Sequence, residues 1–86
     1  MENAQAIANG LMTDQAFVVG AAVRLRETVP YLKTADAMPM LRPPDLVDAA
    51  EVGEVVGLRA MEQLAVRFRR GTFLLDARQL EPVISD

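Results

Sequence analysis

The stretch Asp45-Leu46-Val47-Asp48-Ala49-Ala50-Glu51-Val52-Gly53-Glu54-Val55-Val56-Gly57-Leu58-Arg59-Ala60-Met61-Glu62-Gln63-Leu64-Ala65-Val66-Arg67-Phe68-Arg69-Arg70-Gly71 decides the fold, and it reads as one long helix. Pro43 and Pro44 block a preceding helix, and Asp45 is a good N-cap. Asp48, Glu51 and Glu54 fill the first half, while Arg59, Arg67, Arg69 and Arg70 fill the second, an order that complements a helix dipole at both ends. Gly71 stands where a left-handed C-terminal cap belongs. These signals predict a helix over 46–70.

Projected at about 100° per residue, Leu46, Ala50, Gly53, Gly57, Ala60, Met61, Leu64 and Phe68 spread across one broad apolar face. Small residues, Ala49, Gly53 and Gly57, recur every four positions near its middle. Each interior glycine costs about 1 kcal/mol relative to alanine in a helix, so their presence points to close approach of another backbone. The expected helix-contact residues are Ala49, Gly53, Gly57, Leu64 and Phe68, with Val19 and Val23 opposite.

Working outward, the segment from about Asn3 to Thr28 carries Ile7, Leu11, Val18, Ala22 and Leu25 on one helical stripe and Met12, Val19 and Val23 on a second. A helix over about 3–28 is expected. Gly10 followed by Thr13-Asp14 allows a break, and Ala16–Gly20 also fits a short strand. Val29 to Pro44 is a linker punctuated by Pro30, Pro39, Pro43 and Pro44. It holds Tyr31, Leu32, Met38, Met40 and Leu41, too many apolar residues for a purely solvated connection. Met38-Pro39-Met40 is the candidate exposed contact loop, because methionine adapts to varied surfaces. After Gly71, Thr72 can cap a short helix over about 73–80, ended by Pro82, though Thr72–Leu75 also fits a strand.

The chain has 86 residues, net charge −3, no histidine, no cysteine and no tryptophan, with 51% hydrophobic residues. That length holds one domain, 1–86. Without cysteine or histidine there is no thiolate nucleophile, no disulfide framework, and neither the usual general base nor the usual zinc ligands. The glycines are scattered and form no phosphate-binding loop. Lys33 is the only lysine, and no hydroxyl has a recognisable base partner, so an enzyme is not expected and no cofactor is implied. Asp45, Asp48, Glu51 and Glu54 recur every three residues and could in principle hold a hard cation, but on a helix they drift round the axis rather than converge.

Arg67, Arg69 and Arg70 are the alternative reading, a small nucleic-acid-binding regulator. The acidic balance and the lack of aromatic platforms disfavour it. The apolar run Ala16–Val23 is too short to span a membrane, and Met1-Glu2-Asn3 lacks a basic leader, so a cytoplasmic protein is expected. Acyl carrier proteins and the tryptophan-glycine hairpin secretion substrates both lack their motifs here, and no family resemblance is specific enough to name. The combined expectation is an all-α protein: two long helices in a hairpin plus a short C-terminal helix, completing a bundle by oligomerisation. Its function would be protein–protein interaction, as adaptor, inhibitor, chaperone-like factor or small subunit, with a protein partner or a second copy in a homodimer.

Overall fold

In the computed structural model, which describes residues 17–84, Leu64, Val66 and Phe68 all point into the core, with exposures of 6%, 0% and 4%. Arg67 lies between them in solvent. That is period two, the signature of a strand. A helix would carry Val66 away from the face shared by Leu64 and Phe68. Burying each such side chain contributes roughly 1.5–3 kcal/mol, so a sheet that buries all three wins over a helix that buries two.

The same alternation recurs in other strands of the described chain. Seven strands form in order: β1 (Ala22–Leu25), β2 (Leu32–Thr34), β3 (Leu41–Arg42), β4 (Gly53–Leu58), β5 (Gln63–Phe68), β6 (Gly71–Asp76) and β7 (Leu80–Pro82). Val23 and Leu25 of β1 and Phe73 and Leu75 of β6 face inward at every second position. The strands make one antiparallel sheet in the order β3-β2-β6-β5-β4-β1-β7. Among the described residues, helical structure is limited to three single 3-10 turns, Pro44–Leu46, Ala60–Glu62 and Ala77–Gln79.

The all-α expectation is therefore overturned, and with it the helical hairpin and the bundle. The predicted helix 46–70 is a 3-10 turn, a loop and the β4–β5 hairpin. Asp45 sits inside the turn Pro44–Leu46 instead of capping a helix. Gly71 opens β6 with φ +151°, a conformation that favours glycine, immediately after the tight turn at Arg69–Arg70. The predicted helix 73–80 is most of β6 followed by the turn Ala77–Gln79. The predicted helix 3–28 gives way to β1 from Ala22 on, and the Gly10–Thr13 break lies outside the described residues. The predicted linker 29–44 contains β2 and β3.

One sheet alone would leave both faces wet. Here Val23 on β1 and Leu32 on β2, with three strands between them, are both 0% exposed and belong to one core cluster. The sheet must curl over its own inner face to achieve this. Val29 and Val47, from the loops, join that core, and Phe17, Leu46 and Ala77 pack against it. Gly53 on β4 has its own role in this packing: a Cβ there would lie 2.7 Å from the Phe68 ring and 2.8 Å from a Val66 methyl. The missing side chain leaves room for that aromatic ring.

Candidate functional site

The acidic and basic runs meet across the fold. Arg67 pairs with Glu54 at 2.5 Å on the neighbouring strand, where the two residues are direct partners in the sheet register. Arg69 lies 3.6 Å from the Asp48 carboxylate, and its backbone N–H donates to Glu51 Oε2 at 2.7 Å. Glu51 Oε1 accepts from the Asp48 N–H, and Arg70 Nη1 donates to the Asp45 carbonyl. The Arg69 amide holds the Glu51 carboxyl below the usual glutamate range. Segment 45–51 is thereby fastened over the Arg69–Arg70 turn. Arg67, Arg69 and Arg70 all have acceptors within the chain, which weighs against a phosphate-binding face.

The other hairpin turn is built differently. Between β4 and β5, Val55 pairs with Val66 and Gly57 with Ala65, so Val56 is the extra residue of a β-bulge. Arg59 folds back across Gly57, whose added Cβ would come within 2.7 Å of the guanidinium. The turn then passes through Met61 (φ 62°, ψ 37°) and Glu62 (φ 63°), two consecutive left-handed residues that are not glycine. Hairpin turns of that shape favour Asn-Gly, and a residue held there without glycine costs on the order of 1–3 kcal/mol. Met61 is 89% exposed and Leu58 55%. Exposed Val56 is on the same hairpin, and exposed Val18 and Val19 lie in the turn before β1, which the Gly20 N–H to Val55 carbonyl bond holds against β4.

The two sheet edges are closed to strand addition. On β3, the Thr34–Met40 and Leu32–Arg42 positions bond to β2, so Leu41 turns its N–H outward. The next residues in that outward register, Pro39 and Pro43, have no N–H. On β7, the outward positions are Leu80, whose N–H bonds to the Ala77 carbonyl, and Pro82. Met38, Met40 and Leu41 are exposed on and beside the β3 edge. A partner strand therefore finds a single free donor, Leu41, on these two edges.

A cleft of about 440 Å³ lies between the β1–β2 loop and segment 44–49. Leu25, Val29 and Val47 floor it, and Arg26, Glu27 and Asp45 are among its rim. Thr28 is the hydroxyl in its lining, and among the described residues no hydrogen bond joins it to Glu27 or Asp45. Among the described residues, no three carboxylates gather as a metal site.

The residues expected to make a helix contact are distributed over the sheet. Gly53 and Phe68 are cross-strand neighbours on the inner face, joined there by Leu64 and Val23. Gly57 lies on the outer face beside Ala65, while Val19 is exposed and Ala49 lines the cleft. Sequence reasoning placed Met61 on an apolar helix face and missed Val56 and Leu58, which are exposed with it on the hairpin. The available signal was the apolar trio itself, spaced two and three apart, with no glycine or asparagine where the chain must reverse. Among the described residues, no helix is long and apolar enough to cross a membrane.

Protein CHLORORESPIRATORY REDUCTION 42, chloroplastic, of Arabidopsis thaliana is 35% identical over 69 residues, 79% of this chain. The chain spans 57% of that relative's length. The relative is chloroplastic by name, which overturns the expectation of a cytoplasmic protein. No solved structure matches the chain. The family described as Protein CHLORORESPIRATORY REDUCTION 42-like matches residues 19–80, from just before β1 into β7, and the chain belongs to this CRR42-like family.

Proposed function

We propose that this protein is a non-catalytic protein-interaction module that docks through the end of its β4–β5 hairpin. It would act as an adaptor, chaperone-like factor, inhibitor or small subunit in the process its Arabidopsis relative is named for, chlororespiratory reduction. The observation that carries this reading is the Met61–Glu62 turn. The chain keeps a costly left-handed pair at a position where Asn-Gly would fold more easily, and uses it to hold an 89% exposed methionine at a hairpin tip. Backbone strain that serves no packing is best explained by contact with something else. Val56 and Leu58 on the same hairpin, and Val18 and Val19 in the turn bonded to β4, are exposed as well.

The test compares the proteins that co-purify with the tagged chain and with its Leu58→Ser/Met61→Glu variant, both checked for folding by circular dichroism. Proteins retained by the wild type and lost by the folded variant support the reading. An identical set from both overturns it.

A further inference from the structure

We infer that a second cleft, on the outer face of the sheet beside Lys33, binds a carboxylate. This goes beyond the docking role proposed above and stands on residues other than the hairpin tip, so either can fail alone.

The cleft encloses about 230 Å³ among Tyr31, Lys33, Gln63, Leu74, Asp76 and Gln79. Three neighbouring strands build it. Lys33 on β2 is the direct partner of Leu74 on β6, and Asp76 on β6 is the direct partner of Gln63 on β5. Phe73 and Leu75 point into the core, so Leu74 and Asp76 share the opposite face of β6. The turn Ala77–Gln79 then folds Gln79 back, and its Oε1 accepts the Asp76 N–H at 3.0 Å. Sheet register and a capping box therefore hold the walls in place.

Hydrogen bonding sets the sign of the ligand. Asp76, the carboxylate of the cleft, already accepts from the Arg78 N–H, Nε and Nη2, so its charge and most of its acceptor capacity are spent within the chain. The Gln79 carbonyl oxygen is spent on the Asp76 amide. Donors are left over. Among the described residues, half-buried Lys33 has no carboxylate within 4.0 Å. Nor do its ammonium, the Tyr31 hydroxyl or the Gln79 Nε2 group make a hydrogen bond there. A cleft with its acceptors satisfied and its donors unmet takes an oxyanion.

Charge and size narrow the class. One ammonium balances the single charge of a carboxylate, whereas a phosphate monoester carries nearly two and favours the two-pronged arginine contact that this lining lacks. The volume is below the roughly 300–1,000 Å³ of clefts that hold drug-sized ligands. The carboxylate therefore belongs to a small acid or to one acidic side chain, with Leu74 against its carbon chain.

The experiment follows the amide resonances of the isotope-labelled chain during titration with three probes. Sodium isobutyrate is a free acid, N-acetyl-glutamate N-methylamide presents an acidic side chain, and isobutyramide is the uncharged isostere of the first. Both carboxylates should shift the Lys33, Gln63, Leu74 and Gln79 signals saturably, and isobutyramide should not. Tighter binding of the capped glutamate identifies a protein side chain as the natural source, and tighter binding of isobutyrate a free acid. Lys33→Met keeps the stem without the ammonium and should weaken both carboxylates about tenfold or more. Tyr31→Phe should weaken them by roughly three- to tenfold, and it decides the matter if Lys33→Met perturbs the whole spectrum. Arg26→Met, on the rim of the other cleft, should leave the affinity unchanged. The inference is overturned if neither carboxylate gives saturable shifts, if isobutyramide gives the same ones, or if folded Lys33→Met and Tyr31→Phe bind like the wild type.

Discussion

Strand β5 belongs to two hairpins, and the two are made to different specifications. On its β6 side it pairs in unbroken register from Gln63–Asp76 to Phe68–Gly71. That hairpin turns through Arg69–Arg70, with glycine at the next position where φ is +151°, and the acidic segment 45–51 is fastened over the turn. On its β4 side the register shifts at Val56, the turn lacks glycine where φ is positive at two residues, and the tip is bare apolar surface. Local conformation, register and electrostatics agree in the first hairpin. In the second they conflict. Agreement across levels is what folding selects, and conflict confined to one exposed turn marks a place kept for another purpose.

The comparison is broken most directly by truncating one apolar side chain in each hairpin. Phe73 on β6 is 2% exposed and sits in the central core, so Phe73→Ala should cost about 3–5 kcal/mol in chemical denaturation. Leu58, 55% exposed near the strained tip, should cost within about 0.5 kcal/mol on the same change. Comparable losses at both positions would mean the β4–β5 end is part of the core, and the distinction between the hairpins would fail. A second substitution sharpens it with the opposite sign. Met61→Asn with Glu62→Gly places the preferred residues in the left-handed turn and should raise stability by about 1–2 kcal/mol. If the pair instead destabilises the chain, Met61 and Glu62 contribute packing that their exposure does not reveal.

How much of this was legible in the sequence depends on which residues are consulted. Leu64 and Phe68 are spaced by four, and residues four apart share a face in a helix and in a regular strand alike; Gly53 and Gly57 have the same spacing, and only the bulge at Val56 sets them on opposite faces. Those positions could not decide the fold. Val66, midway between Leu64 and Phe68, could: it is 0% exposed, and only period two puts all three inside. The pairs Val23/Leu25 and Phe73/Leu75 repeat the signal in segments that helical spacing also fits, and Thr72–Leu75 did present itself as a possible strand. The charge order misled for a similar reason. Acids followed by arginines complement a helix dipole, yet the same order lets an acidic strand meet a basic one when the chain doubles back, as Glu54 and Arg67 do. The interior glycines were the warning, because a helix pays for both with no local return, whereas in the sheet Gly53 makes room for Phe68 and Gly57 for Arg59. The apolar tip was invisible for a deeper reason. A strained turn departs from local preference by definition, so propensity reasoning is drawn elsewhere.

The smallest expected effect probes the ordered hairpin through its electrostatic fastening. Glu51 accepts the Arg69 backbone N–H, and that bond is the largest cause of its lowered pKa; desolvation, the next largest, opposes it, and the Asp48 amide and the nearby Arg69 and Arg70 charges lower it further. A carboxyl whose pKa is lower folded than unfolded contributes stability that is fully present above the unfolded value and is lost as pH falls through the folded one. Stability should therefore decline as the pH is lowered from about 5 through the carboxylate range. Asp76, lowered chiefly by the Arg78 side chain, adds a contribution of the same sign. Glu51→Gln removes the charge and should cost under about 1 kcal/mol at neutral pH, because the site is at the surface and screened. Urea midpoints at neutral and acid pH test the sign as well as the size. The difference between wild type and Glu51→Gln should shrink on acidification, since protonation has by then removed the charge from the wild type too. A gap of constant width would show that Glu51 acts through shape alone, and that the β5–β6 turn needs no anion to hold it.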